Sequence, residues 1–570
     1  MPNRQNVAAG AAIVVMIVGG TLWATRERAI PQPAPAPSEG DALIVGVAAD
    51  ATDLLSPVAH TPFDLNLLDM MGVKPLDTSF DCELKFSSAL AQTWSWSADG
   101  KTLRMELRND LAWSDGTRVF AADLSLLGQL VTDAEVRSPH GAAYANLVPG
   151  AGPRILDATH VEFEFEKLTN PIAMLADVTT LPIVPSHVLS EPTLDRQTLR
   201  DHPLNTTSPL SSGPWLLTKW EPEARMTFEP NPHWGGTKPS LRKVIFKVIP
   251  RYEDRLLELR NGTIDMMESV QVADVDDLVA EHPDIKLVRR GWRSMEYIGW
   301  NEIDPSAPPK ADKKVPPHPL FGDPAVRRAL SMAINVDPII HEVLSSPASG
   351  EAYARRAVST ITPALCGVHN DAIIPIKFNL DEAKASLAAL GWSDSNGDGV
   401  LERNGVPFRF TILTSAETAR RTEVAALIRT QLRELGVDAD FEVLEGAALY
   451  DRLRRKDFDA AYTGWAAGLW ADPASTWGED SEFNFFSYRN PKASKLLDAG
   501  AEALDPAAAR AIWHEFQQVV YDDQPYTFLY WLDEIVAVNA RFENTQIDMI
   551  SPYHHLEEWS VPTTKVKYTE

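Results

Sequence analysis

Three groups of residues in this 570-residue chain have types and spacing that invite a chemical reading. The run Asp394-Ser395-Asn396-Gly397-Asp398-Gly399, ending at Glu402, offers oxygen ligands in the rhythm of a calcium loop. Such a loop needs oxygens at alternate positions and a bidentate acid at its twelfth. The twelfth residue here is Gly405, and Phe408 to Leu413 alternates like a strand instead of opening a second helix. An Asx-rich turn leading into a hairpin is therefore expected. Among 13 histidines the adjacent pair is His554-His555, which lacks ligand spacing and is expected at the surface. Sixteen tryptophans form the third group, with Trp300, Trp465, Trp470 and Trp477 prominent. An indole supplies a stacking face and a single N–H donor, which suits binding, and most indoles pack in cores.

Catalytic constellations are missing. The chain has no GxSxG elbow, no Walker loop, no HExxH, no CxxC and no Cys/His cluster. No catalytic residue, no metal and no cofactor is expected. Cys82 and Cys366 are the only cysteines, so one intramolecular disulfide is allowed. Two free, buried thiols are the expectation.

The net charge is −26, from 79 acids against 53 bases. So acidic a surface repels phosphate backbones, which excludes nucleic acid as a partner. Apolar residues make up 44% and charged residues 23%, the proportions of a soluble globular chain. At this length one core is not enough, and two or three lobes are expected.

The elements that would position these groups follow from periodicity and turn chemistry. Ala42 to Ala48 is an apolar run fit for a buried first strand. From Leu90 the pattern alternates, turns at Asp99-Gly100, alternates through Leu103, Met105 and Leu107, and turns again at Asp115-Gly116. Gly accepts the positive φ such turns require. A helix opens at Ala121. Val161, Phe163 and Phe165 mark a further strand. Asp323-Pro324 starts a helix whose apolar face is Val326, Ala329, Leu330, Ala333 and Ile334. Asp337-Pro338 is expected to cap a second helix directly after. A capped helix spans Asn379 to Gly391. Helix then strand follow around Gly436, with Val437, Ala439, Phe441 and Val443 alternating.

The N-terminus differs in character. Val7 to Ala24 has no charge over 18 residues. As a helix it would measure about 27 Å, close to the hydrocarbon thickness of a bilayer. An uncleaved membrane anchor is expected, with a cleaved signal peptide as the alternative. The small-residue set Ala34-Pro35-Ala36 is followed by Pro37, which hinders cleavage. Ile30 to Gly40 is a Pro/Ala linker, extended and semi-rigid.

The hairpin segment resembles the signature of solute-binding proteins of ABC importers, in the peptide/nickel-binding family (family 5). Ala91, Asp99, Leu103, Met105, Leu107, Arg108, Asp110, Trp113, Asp115, Gly116 and Thr117 carry the match in register. Further segments resemble the family in the same order. They are Pro185-Ser186-His187, Ser212-Gly213-Pro214-Trp215, Glu229 to Gly236, the passage Arg255 to Asp265, and Val326 to Ile339.

The resemblance implies an α/β fold of the two-lobed periplasmic-binding-protein type, in the large three-subdomain class. Central mixed sheets and a hinged cleft belong to it. The implied plan is an anchor or signal at 1–29, a linker at 30–40 and a first lobe at 41–300 with an inserted subdomain at 81–210. A second lobe at 301–526 and a return to the first at 527–570 complete it. The crossings are expected near Tyr297–Asn301 and Tyr526–Tyr530. The implied function is an extracytoplasmic receptor that captures a peptide-like or other medium-sized solute in the cleft, closes on it, and delivers it to an ABC permease. A monomer is expected, held at the cytoplasmic membrane by its N-terminal helix. The alternatives are a tethered sensor or non-transport binding protein of the same fold, and a hydrolase on this scaffold.

The resemblance also points to ligand-contacting residues. Tyr462 to Trp477 aligns with the passage in which relatives place a pocket tryptophan and an Asp that pairs with a peptide's α-ammonium group. Trp465 carries over, whereas Gly468 stands at the position of that Asp. Asp472, before Pro473, is its possible substitute. Trp470, Trp300 and Tyr297 fall in the neighbouring pocket segments. With Gly468 in place, peptides with a free α-amino group are expected to bind weakly.

Overall fold

The computed structural model describes residues 41–148, 152–189, 194–307, 315–416 and 419–568. The expected anchor and the Pro/Ala linker lie outside the described residues. Among those described, no helix is long and apolar enough to cross a membrane.

The chain forms two compact units. The first contains the residues up to Val270, Asp277–Arg290 and those from Ile535 onward; the second contains Gln271–Asp276 and Gly291–Glu534. The chain leaves the first unit inside the strand Ile285–Trp300 and returns inside the strand Tyr526–Asn539. The aromatic runs Tyr297–Asn301 and Tyr526–Tyr530, expected at the crossings, lie within the second unit.

The first unit has two cores. One is built on a mixed sheet in which Ala42–Val47 pairs in parallel with Lys243–Val248 and with Met266–Met267. Arg225–Pro230 and Trp215–Glu221 extend it antiparallel. Leu43, Val45, Phe228, Val244, Phe246 and Val538 fill that core. The continuous apolar run read as a buried strand suits a sheet with parallel pairs on both sides.

The other core sits on a four-stranded antiparallel sheet in the order Ala91–Trp96, Thr102–Leu107, His160–Glu164, Arg154–Ile155. Leu103, Met105 and Leu107 point inward, as their alternation requires, with Trp113, Val161 and Phe163. Gly100 and Gly116 take the positive φ of the two turns, 72° and 86°. The buried Trp113 donates its indole N–H to Asp123 at 3.2 Å. Asp123 also accepts from the Phe120 amide and from the Ser186 amide and hydroxyl. One carboxylate thus joins the turn, the helix Ala121–Thr132 and the Pro185-Ser186 segment.

The second unit is a sheet in the order Asp438–Leu444, Arg409–Ser415, Ala460–Ala466, then the second-unit parts of Ile285–Trp300 and Tyr526–Asn539. Arg409–Ser415 runs parallel to both of its neighbours. The helix Pro324–Ala333 starts as expected, with Asp323 accepting from the Ala325 amide at 2.9 Å. The next helix, Val336–Val343, begins before Asp337, with Asn335 as its N-cap. Pro338 is accommodated in the first turn, where backbone N–H groups have no helical partner to lose.

Two expectations are corrected by position. Neither Cys82 nor Cys366 is a free thiol, and both are exposed. Cys82 holds a left-handed turn residue (φ 62°) between Leu76–Phe80 and Leu84–Ser88, where no core reaches it. His554 is buried and not at the surface, because its neighbours Tyr553 and Leu556 anchor the segment in the core.

Candidate functional site

A cavity of about 210 Å³ opens in the second unit. Its wall includes Tyr297, Arg421, Tyr450, Gly464, Trp465 and Phe485, with Ser415 at one end. Ser415 is the last residue of Arg409–Ser415, the strand flanked by two parallel neighbours. Cavities of α/β sheets form beyond the carboxyl ends of such strands, where the connections diverge. Here one connection enters the helix Ala419–Leu435 and the helix Gly446–Arg455 contributes the opposite side.

The electrostatics centre on one buried carboxylate. Glu296 is 1% exposed, in the otherwise apolar run Met295–Trp300. Its Oε1 accepts from Arg420 at 2.6 Å and from Arg421 Nε at 2.9 Å. Its Oε2 accepts from the Tyr462 hydroxyl at 2.6 Å and the Tyr530 hydroxyl at 2.8 Å. Burial works to raise the Glu296 carboxyl, but the two guanidinium charges and the Tyr462 bond outweigh it and hold the group below its ordinary value of 4.5. Burial and the Glu296 charge keep the Tyr462 and Tyr530 phenols protonated.

Both arginines lie in the first turn of the helix Ala419–Leu435. Cations there oppose the positive end of the helix dipole, so an anion is needed to hold them. Glu296 supplies one charge against two, leaving the cluster one positive charge in excess. Arg421 spends only its Nε on Glu296; its terminal nitrogens keep no partner among the described residues. Gly464 permits this placement: a Cβ there would lie 2.6 Å from the Met295 carbonyl oxygen and 3.3 Å from Arg421 Nη2.

The aromatic wall is ordered by stacking. Trp465 lies nearly parallel to Phe485, with centroids 5.6 Å apart, and edge-on to Phe483. Tyr297 stacks on Tyr526 at 3.9 Å. The Tyr297 hydroxyl and the Trp465 indole nitrogen are both buried without a hydrogen-bond partner. Both lie against each other and against the Tyr526 hydroxyl, in contacts short of good hydrogen-bond geometry.

The other sequence-derived candidates lie elsewhere. Trp300 is fully buried, packs on Phe321 and donates to Thr527 at 3.1 Å. Gly468 is partly exposed and Trp470 is buried; neither lines the cavity. Asp472 accepts from the Ala474 amide at 3.1 Å, just ahead of the short helix Ala474–Trp477, and burial raises its carboxyl. Glu296, Arg420, Arg421, Tyr462 and Tyr530 were missed by sequence reasoning. The available signals were an acid inside an apolar strand and an arginine pair at a helix start.

The Asp394–Glu402 loop is a self-satisfied turn. Asp394 accepts from the Gly397 and Gly399 amides, and Arg409 pairs with Asp398. Glu402 accepts from the Ser395 amide.

A two-unit α/β fold with an aromatic-walled cavity beside a buried ionic cluster suits the binding of a solute. The chain belongs to the bacterial extracellular solute-binding proteins, family 5, whose model matches residues 85–487. It is 25% identical over 538 residues to the oligopeptide-binding protein AppA of Bacillus subtilis, covering 92% of each chain. It is 23% identical over 506 residues to the nickel-binding periplasmic protein of Escherichia coli, covering 86% of this chain and 89% of that one. The solved structure of B. subtilis AppA in complex with a nonapeptide superposes with a TM-score of 0.75 at 23% identity, over 92% of this chain and all of the other. That of CtaP from Listeria monocytogenes gives 0.77 at 19% identity, over 93% and 100%. The protein is an extracytoplasmic solute-binding receptor that delivers its solute to an ABC importer.

Proposed function

We propose that this receptor binds a peptide-like solute through its carboxylate end and an apolar or planar group, with no dedicated site for an α-ammonium group. The observation that carries the reading is Arg421. Its terminal nitrogens have no hydrogen-bond partner among the described residues and lie beside the Trp465–Phe485 stack, in a cluster with one excess positive charge. A carboxylate there receives charge-assisted hydrogen bonds. Trp465 and Tyr297 add aromatic surface to the same wall. Relatives named for oligopeptides and for nickel show that the fold accepts varied cargo, and the side chains above select among such cargo. The role is binding, with no chemical step. Gly468 brings no charge, and Asp472 is engaged with the Ala474 amide.

Calorimetry with one peptide set in three forms tests this: free, N-acetylated and C-amidated. Acetylation should leave affinity nearly unchanged. Amidation should weaken it roughly ten- to a hundredfold, the value of a charge-assisted bond of about 1.5–3 kcal/mol. Loss on acetylation with indifference to amidation would reverse the assignment of the two ends.

The mature receptor in this reading is a monomer tethered through Val7–Ala24, whose length and lack of charge support an anchor. On cell fractionation it should sediment with membranes and resist alkaline extraction. Recovery in the soluble extracytoplasmic fraction with a shortened N-terminus would show a cleaved signal instead.

A further inference from the structure

The first unit holds a second polar cluster, away from the Glu296 network. His554 and His555 lie side by side, ring centroids 3.9 Å apart. Each ring is fixed at Nδ1 by a carboxylate: His554 by Asp548 at 2.7 Å, His555 by Glu557 at 3.2 Å. Each then turns Nε2 toward one acid, Asp77, at 3.9 Å from His554 and 3.6 Å from His555. Those distances are too long for hydrogen bonds. His554 is 9% exposed, and its Nε2 is buried with no hydrogen-bond partner. His555 reaches its place through a left-handed backbone (φ 51°). The two ring nitrogens and an Asp77 oxygen all lie within 4.8 Å of one another.

We propose that Asp77, His554 and His555 form a binding site for a divalent transition-metal ion, with zinc the best match, and with Asp548 and Glu557 orienting the two imidazoles. Two ligand atoms about 2.0–2.1 Å from a tetrahedral zinc stand roughly 3.3 Å apart, so the three ligand atoms, now within 4.8 Å of one another, would draw together by small side-chain rotations. Imidazoles that give Nε2 to a metal while Nδ1–H binds a carboxylate are the usual outer arrangement of such sites. Two nitrogens and one oxygen suit zinc, and calcium and magnesium prefer all-oxygen shells. Three protein ligands leave one position open to water or an exogenous group.

The charge balance supports the same conclusion. Asp77, Asp548 and Glu557 bring three negative charges, and Lys74 brings one positive charge that it shares with Asp69. Carboxylates therefore outnumber the cations around the pair, with Arg290 close by at the Asp548 carbonyl. Either both imidazoles hold a second proton or one divalent ion replaces those protons. Metal binding must displace these protons, so affinity rises with pH.

The test uses the full chain, untagged and stripped with chelator, dialysed against micromolar zinc chloride at pH 8 and at pH 6. One zinc per chain is expected at pH 8, with a raised melting temperature, and retention falling at least tenfold in affinity at pH 6. Cobalt(II) in place of zinc should give the visible absorption of a four-coordinate site. Asp77→Asn and His555→Gln, both at partly exposed positions, should abolish retention while melting near the metal-free wild type. His554→Gln adds the buried ligand, and the two milder variants decide the case if it fails to fold. Retention of zinc by all three variants, or none by the wild type, would overturn the site in favour of a doubly protonated histidine pair.

Discussion

Glu296→Ala should destabilise the second unit by about 3–5 kcal/mol, the cost of leaving buried charge without its partner. The substitution removes one carboxylate and strands two arginines and two phenols that all bond to it. The arginines are not free to relax into water, since Arg421 is only 15% exposed. They also sit in the first turn of Ala419–Leu435, where the helix dipole repels them. Glu296→Gln keeps the shape and the phenol bonds but loses the charge, so its cost should be smaller, about 1–3 kcal/mol. Urea unfolding of the wild type and both variants, monitored for the second-unit transition, provides the measurement. Equal midpoints for all three would mean the cluster contributes nothing. The pH dependence has a fixed sign. Because the Glu296 carboxyl is depressed below 4.5 in the folded protein, its contribution is complete above pH 4.5 and is lost as pH falls through the folded value. The wild type should therefore lose its advantage over Glu296→Gln in acid.

That network shows what a single sequence conceals. Glu296 and Arg420 are separated by 124 positions, and Glu296 and Tyr530 by 234. No local period or turn signal links them; the sheet order, which sets Ile285–Trp300 between Ala460–Ala466 and Tyr526–Asn539, and the start of the helix Ala419–Leu435 bring them together. Local chemistry was readable. The Asp-Gly turns, the inward Leu103-Met105-Leu107 alternation and the Asp323-Pro324 helix start follow from φ preferences and periodicity, and they stand as expected. Asp337-Pro338 misled because a proline in the first helical turn is tolerated at more than one position. His554-His555 carried no ligand spacing because the third residue, Asp77, lies on a distant strand. Tyr297 and Trp465 line the cavity, while Trp300 packs in the core, although all three are large aromatics in neighbouring strands. Strand alternation decides between those fates, and the face that meets a core is settled by the partners on either side.

Trp465→Ala and Arg421→Met should each impair solute binding severely, and by different routes. Trp465 is half-buried, held by Phe485 on one face and Phe483 at its edge, so its other surfaces are available to a ligand. Covering one indole face, on the order of 80 Å², at about 25 cal/mol per Å² corresponds to about 2 kcal/mol. This predicts a loss of roughly thirtyfold, at 1.4 kcal/mol per decade. The loss should fall on acidic and amidated solutes alike, because stacking does not depend on the carboxylate. Arg421→Met keeps the apolar stem beside Gly464 and removes the charge. It should weaken only solutes with a free carboxylate, roughly ten- to a hundredfold, and abolish the difference between free and amidated forms. It also relieves one of the two dipole-opposed arginines, so it should be far less destabilising than Glu296→Ala. Calorimetry of both single variants and the double variant, with free and amidated ligands, separates the two contributions. Wild-type affinity in both single variants would move the binding site away from this cavity. Equal losses for both ligand forms in Arg421→Met would leave the cavity in place but make Arg421 a structural partner of Glu296 and not an anchor for the carboxylate.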